Sequence, residues 1–336
     1  MTEVSLSCFT SFHCIANACP DTCCAGWEVD LDDDTLRRYQ SIPGPLGEEI
    51  RHAICQEDEY TFFRLEDGQC PFLNSKKLCR LILTLGEDVL SVTCREHPRF
   101  WEEYGARRET CLSISCPEAA RLLLEEPLEL CIRETDETVP EDPELDLEFF
   151  RQLLFFRQAL FALTKSRRSL TDQLSLALDA TENGIALPPE GKITPEFWND
   201  VPAPPLTLSL TEYLTAMETM EFTRPQLKEL LPRVIADNTP LPLSDLEIQK
   251  AGSRILFYFL YRYVLRGVWS GLVAEKVQLA VYSTAAILAL SQHMDGPTLH
   301  QRILDAAVLY SREVEHSPEN LEILYEQLCS SGCEYS

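Results

Sequence analysis

The stretch Phe12-His13-Cys14-Ile15-Ala16-Asn17-Ala18-Cys19-Pro20-Asp21-Thr22-Cys23-Cys24-Ala25-Gly26-Trp27 sets the terms for reading the whole chain. Four thiols lie between positions 14 and 24 on a segment rich in turn formers, so they can converge on one small volume. Pro20-Asp21 opens a tight turn or short helix that Gly26 closes, the proline-first, glycine-last order of helix ends.

Working outward, further thiols recur in Cys70-Pro71-Phe72-Leu73, at Cys79, at Cys94 ahead of Pro98-Arg99, and in Ser115-Cys116-Pro117-Glu118. The chain has 14 cysteines, and all but Cys329 and Cys333 fall at or before Cys131. Met1-Thr2-Glu3-Val4 carries neither a basic start nor a long apolar run, so no secretion signal is read there. A cytoplasmic location follows as the expectation. In that reducing compartment, clustered thiols read first as metal ligands rather than disulfides. The candidate ligands are Cys14, Cys19, Cys23, Cys24, Cys70, Cys79, Cys94 and Cys116.

Their spacing is neither that of paired zinc hairpins nor that of the bacterial ferredoxin run. Ligating sulfurs are deprotonated, so they concentrate negative charge that a metal and nearby N–H groups must offset. Cys8, Cys55, Cys131, Cys329 and Cys333 stand at unsupported spacings and read as packing residues, with Cys111 between the two groups. His13 and His97 lie close to the thiol motifs as ligand or proton-carrier candidates, although a surface or packing role is favoured. His293, His300 and His316 carry no motif.

The expected fold is mostly α, with a cysteine-rich metal-binding N-terminal module of short elements (1–133). An acidic, proline-containing linker (134–148) leads to an all-helical domain (149–336). Helices are expected over 46–54, 78–85 with Gly86 as its cap, and from Pro117 onward. Beyond the linker they are expected over 147–164, 170–180, 209–220, 225–237, 244–269, 273–293, 297–314 and 321–328. Ser244-Asp245-Leu246-Glu247 has the spacing of a capping box, and no strand-rich region is visible. A net charge of −25 argues against a nucleic-acid partner. The apolar stretches at 255–265 and 277–290 are too short to span a bilayer, so no membrane partner is expected.

Taken in order, the thiol motifs with Gly26-Trp27, Leu90-Ser91, Pro98-Arg99 and Leu112-Ser113-x-Ser115-Cys116-Pro117-Glu118 resemble the bacterial flagellin lysine-N-methylases. The resemblance covers roughly residues 10 to 123. It implies methyl transfer from S-adenosylmethionine to lysine ε-amines of flagellin in the cytoplasm, dependent on a cysteine-ligated [4Fe–4S] cluster. Trp27 and Arg99 are then the cofactor-binding candidates, as site wall and anion partner. Glu28, Tyr39 and Glu118 lie near the motifs as base candidates, each with a structural role favoured, so the catalytic residue stays unknown. No strand–glycine turn–helix pattern marks a Rossmann methyltransferase. The CxxxCC core also resembles smaller zinc- or iron-chelating proteins. The alternative is therefore a non-enzymatic adaptor or sensor with zinc in place of the cluster. A thiol redox couple at Cys23–Cys24 is the third reading, weakened by the strain of a vicinal disulfide.

Overall fold

The computed structural model describes residues 1–57, 60–140, 142–184, 193–237 and 239–332. Its centre is set by the helix Val273–His293, which is apolar on nearly every side. A helix of that pattern is stable only when neighbours surround it. It packs against Leu246–Tyr263, Leu299–Tyr310, Leu170–Glu182, Pro225–Ala236 and Pro318–Gly332. By length and composition it alone, among the described residues, is apolar enough to cross a bilayer, yet 72% of that window is buried inside the protein. Within this core the Tyr213, Ser283 and Tyr310 hydroxyls form a closed triangle of 2.7, 2.8 and 3.2 Å. The fold is mostly α, as expected.

Close helix approach shows at Gly252, where an added Cβ would stand 2.3 Å from Cδ2 of the fully buried Leu170. Gly252→Ala is therefore expected to cost about 1–3 kcal/mol through overpacking, read as a lower midpoint in urea unfolding.

Several helix ends differ from expectation. The cap at 244–247 is Asp245, whose carboxylate accepts from the N–H groups of Glu247 and Ile248. The helix expected to run to Trp269 stops at Tyr263 and continues as a tight turn, Val264–Arg266, and the short helix Gly267–Ser270. The helix expected over 297–314 is regular only over Leu299–Tyr310. It then widens into a π-helical turn, Ser311–Glu315. Pro20–Gly26 is a turn, not a helix.

A four-stranded sheet is the main feature that the periodicity did not show. It has the order β4-β5-β1-β6, with β1 Thr2–Leu6, β4 Arg99–Tyr104, β5 Arg107–Leu112 and β6 Leu130–Glu134. β1 runs parallel to β5, and the other pairings are antiparallel. These strands are short and charged, and their inward face includes Glu109, which breaks the apolar alternation. That carboxylate is buried because Arg157, from the helix Leu147–Thr164, meets it with two bonds of 2.7 Å. Arg107 adds a third contact at 2.7 Å. The sheet thereby rests on the helical body, and residues from Leu6 to Leu328 share one core. Leu145, in the acidic 134–148 stretch, is part of that core.

A second, smaller core gathers Leu31, Tyr39, Ile50, Phe63, Phe72, Leu81 and Val89. It is closed by the helices Asp33–Ser41, Gly44–Ala53 and Arg80–Leu85 and by a hairpin of β2 Ile54–Glu57 with β3 Tyr60–Phe63. Cys70 and Cys79 pack at its edge, so this unit carries thiols toward the Cys19–Cys24 loop.

Candidate functional site

Backbone hydrogen bonds bring the thiol segments together. Gly26, at φ +85°, donates to Gly68 O at 2.9 Å, and Cys70 N donates to Cys24 O at 2.8 Å. The turn 74–78, held by Asn74 Oδ1 bonds to the N–H groups of Lys76 and Leu78, folds Cys79 back beside Leu73. Ser91 caps the short helix Val92–Glu96 by accepting from Cys94 N. Cys116 sits at the start of the helix Pro117–Glu125.

The electrostatics record how near these thiols are. Cys23 is pushed far above its ordinary range, first by a side-chain hydrogen bond with Cys24 and then by burial. Burial raises Cys70 to about 11, and the charges of Cys94, Cys79 and Cys23 add to it. Cys94 rises to about 11 through burial, with Cys23 and Cys79 contributing and the Ser91 hydroxyl opposing. Cys116 also rises to about 11 through burial, with Cys19 and Cys23 adding to the effect while the backbone at Ala119 and Glu118 opposes it. Cys23 is thus the hub of a neighbourhood that includes Cys19, Cys24, Cys70, Cys79, Cys94 and Cys116. Cys14 is exposed and meets this group only through Cys19.

The donor set is thiol throughout, the chemistry that zinc and iron–sulfur clusters select. Cys19, Cys23, Cys70, Cys94 and Cys116 are all raised above the ordinary thiol range, so each of these would become an anion only with a compensating cation. The residues present therefore fit a thiolate-bound metal. Among the described residues no three such side chains already stand in coordination geometry. They form a neighbourhood rather than a closed cage. Cys23 and Cys24 stand as separate thiols in the structure, with no bond between their sulfurs.

The helical body meets this neighbourhood through the π-helical turn. Arg312 donates to Asp21 Oδ2 at 2.6 Å, Thr22 O at 3.3 Å and Ser115 O at 3.4 Å. Arg224 takes both oxygens of the same carboxylate at 3.0 and 2.9 Å. His316 Nε2 lies 2.9 Å from Ser115 Oγ and 3.1 Å from Ser113 Oγ. The carboxylates of the turn face elsewhere. Glu313 accepts from Thr223 N and Oγ1 at 2.7 and 2.8 Å. Glu315 accepts from Tyr263 at 2.8 Å and from Tyr258 at 3.2 Å, with Arg262 Nε at 3.0 Å. π-Helical turns recur at functional sites, and here the turn sends alternate side chains to opposite sides.

Trp27 belongs to this junction: its Nε1 donates to Cys23 O at 2.9 Å and its ring lies 6.0 Å from that of His97. His97 is held neutral, lowered to about 4 by burial and by His316 and Arg312, and its Nε2 is buried without a partner among the described residues. Arg99 instead lies over the rings of Phe12 and Phe9, at 5.0 and 5.8 Å. Of the base candidates, Glu118 is held by Arg121 at 2.8 and 2.9 Å, Tyr39 is buried in the small core, and Glu28 is exposed. Cys8 and Cys111 are buried in the main core, Cys55 accepts from Arg64 Nε at 3.0 Å, and Cys131 is exposed. The Cys329 thiol lies 3.9 Å from Glu275 Oε1, and Cys333 lies outside the described residues. Asp21, Arg224, Arg312 and His316 had no sequence signal: they are scattered charges brought together only by the fold.

Comparison with known proteins decides the relationship. Over 125 residues the chain is 33% identical to the flagellar biosynthetic protein FliU of Salmonella muenchen, covering 35% of this chain and 74% of that protein. The chain belongs to the flagellin lysine-N-methylase family. It is also 33% identical over 132 residues to the lysine-N-methylases of Salmonella typhimurium and Salmonella choleraesuis, covering 37% of this chain. The chain spans about a third (33%) of the length of those two lysine-N-methylases in the match. No protein-family model matches the chain, and no solved structure matches it. In this member of the family the thiol neighbourhood, Trp27 and the π-helical turn form one partly accessible junction.

Proposed function

We propose that this protein transfers methyl groups from S-adenosylmethionine to lysine ε-amines of flagellin in the cytoplasm, and that the thiol neighbourhood holds a [4Fe–4S] cluster. The observation that carries this reading is the approach of Cys19, Cys23, Cys24, Cys70, Cys79, Cys94 and Cys116 to one another in a chain of this family. When bound, the cluster offers iron to which the amino and carboxylate groups of the cofactor can attach.

The chain's own residues supply the setting. The thiols hold the centre, Trp27 walls it on the side of His97, and the partial exposure of Cys19, Cys23 and Cys24 leaves an approach for a protein substrate. Transfer requires a neutral lysine amine in line with the sulfonium methyl group. The nitrogen lone pair forms the new N–C bond as the C–S bond breaks and a thioether leaves. Excluding water from the junction favours the neutral amine and strengthens its alignment.

A second reading keeps zinc in the same thiols and no methyl transfer, with the protein acting as an adaptor. It is favoured by the small separate core beside Cys70 and Cys79, a unit of the kind a structural metal completes. Iron, sulfide and zinc are to be measured on anaerobically purified full-length protein, alongside transfer of labelled methyl groups to flagellin. Stoichiometric iron and sulfide with labelled flagellin support the methylase. Zinc alone with unlabelled flagellin selects the adaptor.

A further inference from the structure

Asp21 is a single carboxylate that receives two guanidinium groups, those of Arg224 and Arg312. Their side chains are 26% and 9% exposed, and that of Asp21 is 25% exposed. Two positive charges against one negative leave a surplus of one positive charge in a half-buried position. Among the described residues no other carboxylate balances it. Glu313 and Glu315, on the same turn as Arg312, are turned to Thr223 and to the Tyr258–Arg262–Tyr263 group. The nearby imidazoles of His97 and His316 favour their neutral forms, with burial the main cause in each. A buried charge without a partner is costly. In a chain of net charge −25 a positive surplus is not a by-product of composition. Arg312 also donates to Thr22 O at 3.3 Å and Ser115 O at 3.4 Å, the carbonyls of the residues that directly precede Cys23 and Cys116.

We propose that Arg312 is the counter-cation of the thiolate centre, a charge lent by the C-terminal helical body to offset the negative charge that the metal-bound thiolates carry. The proposal rests on the metal-holding reading above and applies to an iron–sulfur centre and to zinc alike, because several thiolates leave either centre anionic. Asp21 is then a positioning residue: it fixes the guanidinium against the Pro20–Cys24 turn without cancelling the surplus. The centre and the helical body are thereby joined by charge as well as by packing.

The test compares full-length Arg312→Met, Arg312→Lys and Asp21→Asn proteins, purified without oxygen and challenged with a chelator. Retained iron and zinc are read by atomic emission, and circular dichroism checks folding. Arg312→Met is expected to release metal several-fold faster than wild type, and Arg312→Lys to stay near wild type because the charge remains. Asp21→Asn raises the positive surplus, so it is expected to retain metal at least as well as wild type, although its metal-free form melts at a lower temperature. A purely structural tie predicts the opposite, with Asp21→Asn and Arg312→Met losing metal alike. That result, or unchanged retention in Arg312→Met, overturns the proposal. If Arg312→Met fails to fold, the direction of the Asp21→Asn effect still decides. Wild-type protein that holds no metal sinks the metal reading itself, whereas metal-loaded wild type with an indifferent Arg312→Met sinks only this inference.

Discussion

Arg157→Met is expected to lower the unfolding free energy by about 3–5 kcal/mol, the cost of leaving a buried charge without its partner. Arg157 and Glu109 are 2% and 4% exposed, and their two bonds of 2.7 Å join the sheet to the helix Leu147–Thr164. A third bond, from Arg157 to Tyr261 O at 3.1 Å, ties in the helix Leu246–Tyr263. Removing the guanidinium strands Glu109 in the core with only Arg107 at its side, so the effect is expected at the lower end of that range. Urea unfolding of the full chain measures it, and a loss below about 1 kcal/mol would contradict the account. The double change Glu109→Gln, Arg157→Met is expected to recover part of the loss, because it removes the stranded charge. The pair also sets a pH dependence. Burial pushes the Glu109 carboxyl up, but Arg157 and Arg107 pull it down further, to a net position below its ordinary 4.5. The unfolded chain therefore takes up the proton first as pH falls. The stabilisation is full above about pH 4.5 and is lost on going below it.

Cys23→Ser is expected to strip the metal and to lower methyl transfer by roughly a hundredfold or more. Cys23 hydrogen-bonds with Cys24, and its charge is among the causes that raise Cys19, Cys70, Cys94 and Cys116, so its loss opens the neighbourhood at the hub. Serine keeps the shape but is a poor ligand for zinc or iron at neutral pH, since its hydroxyl does not ionise there. Cys131→Ser, at an exposed position on β6, serves as the control and is expected to match wild type in metal content and transfer. Metal content and labelled methyl transfer in the same preparation separate a lost site from a lost fold. Equal metal in Cys23→Ser and wild type would remove Cys23 from the centre.

The helical body was legible because its residues repeat. Leu147–Thr164 carries apolar side chains at every third or fourth position, and Val273–His293 is a long apolar run of helix-forming residues. The thiols were legible as a set because cysteine is rare enough for its clustering to be noticed. The sheet was not legible: β4 and β5 are short and charged, and a buried carboxylate at 109 reads as surface until Arg157 is seen beside it. The junction was hidden for a different reason. Asp21 is separated from Arg224 and Arg312 by most of the chain, and an ion pair between distant residues leaves no trace in local spacing. Arg99 carried a motif, and the structure sets its guanidinium over the rings of Phe9 and Phe12.

The π-helical turn at Ser311–Glu315 makes the length of that stretch a guarded property beside the identities of Arg312, Glu313 and Glu315. Dropping one residue would restore a regular helix and rotate everything after it by about 100°. Glu315 would then leave Tyr258 and Tyr263, His316 would leave the two serines, and the helix Pro318–Gly332 would swing off its seat. Over descent, this segment is therefore expected to keep its length without a single insertion or deletion.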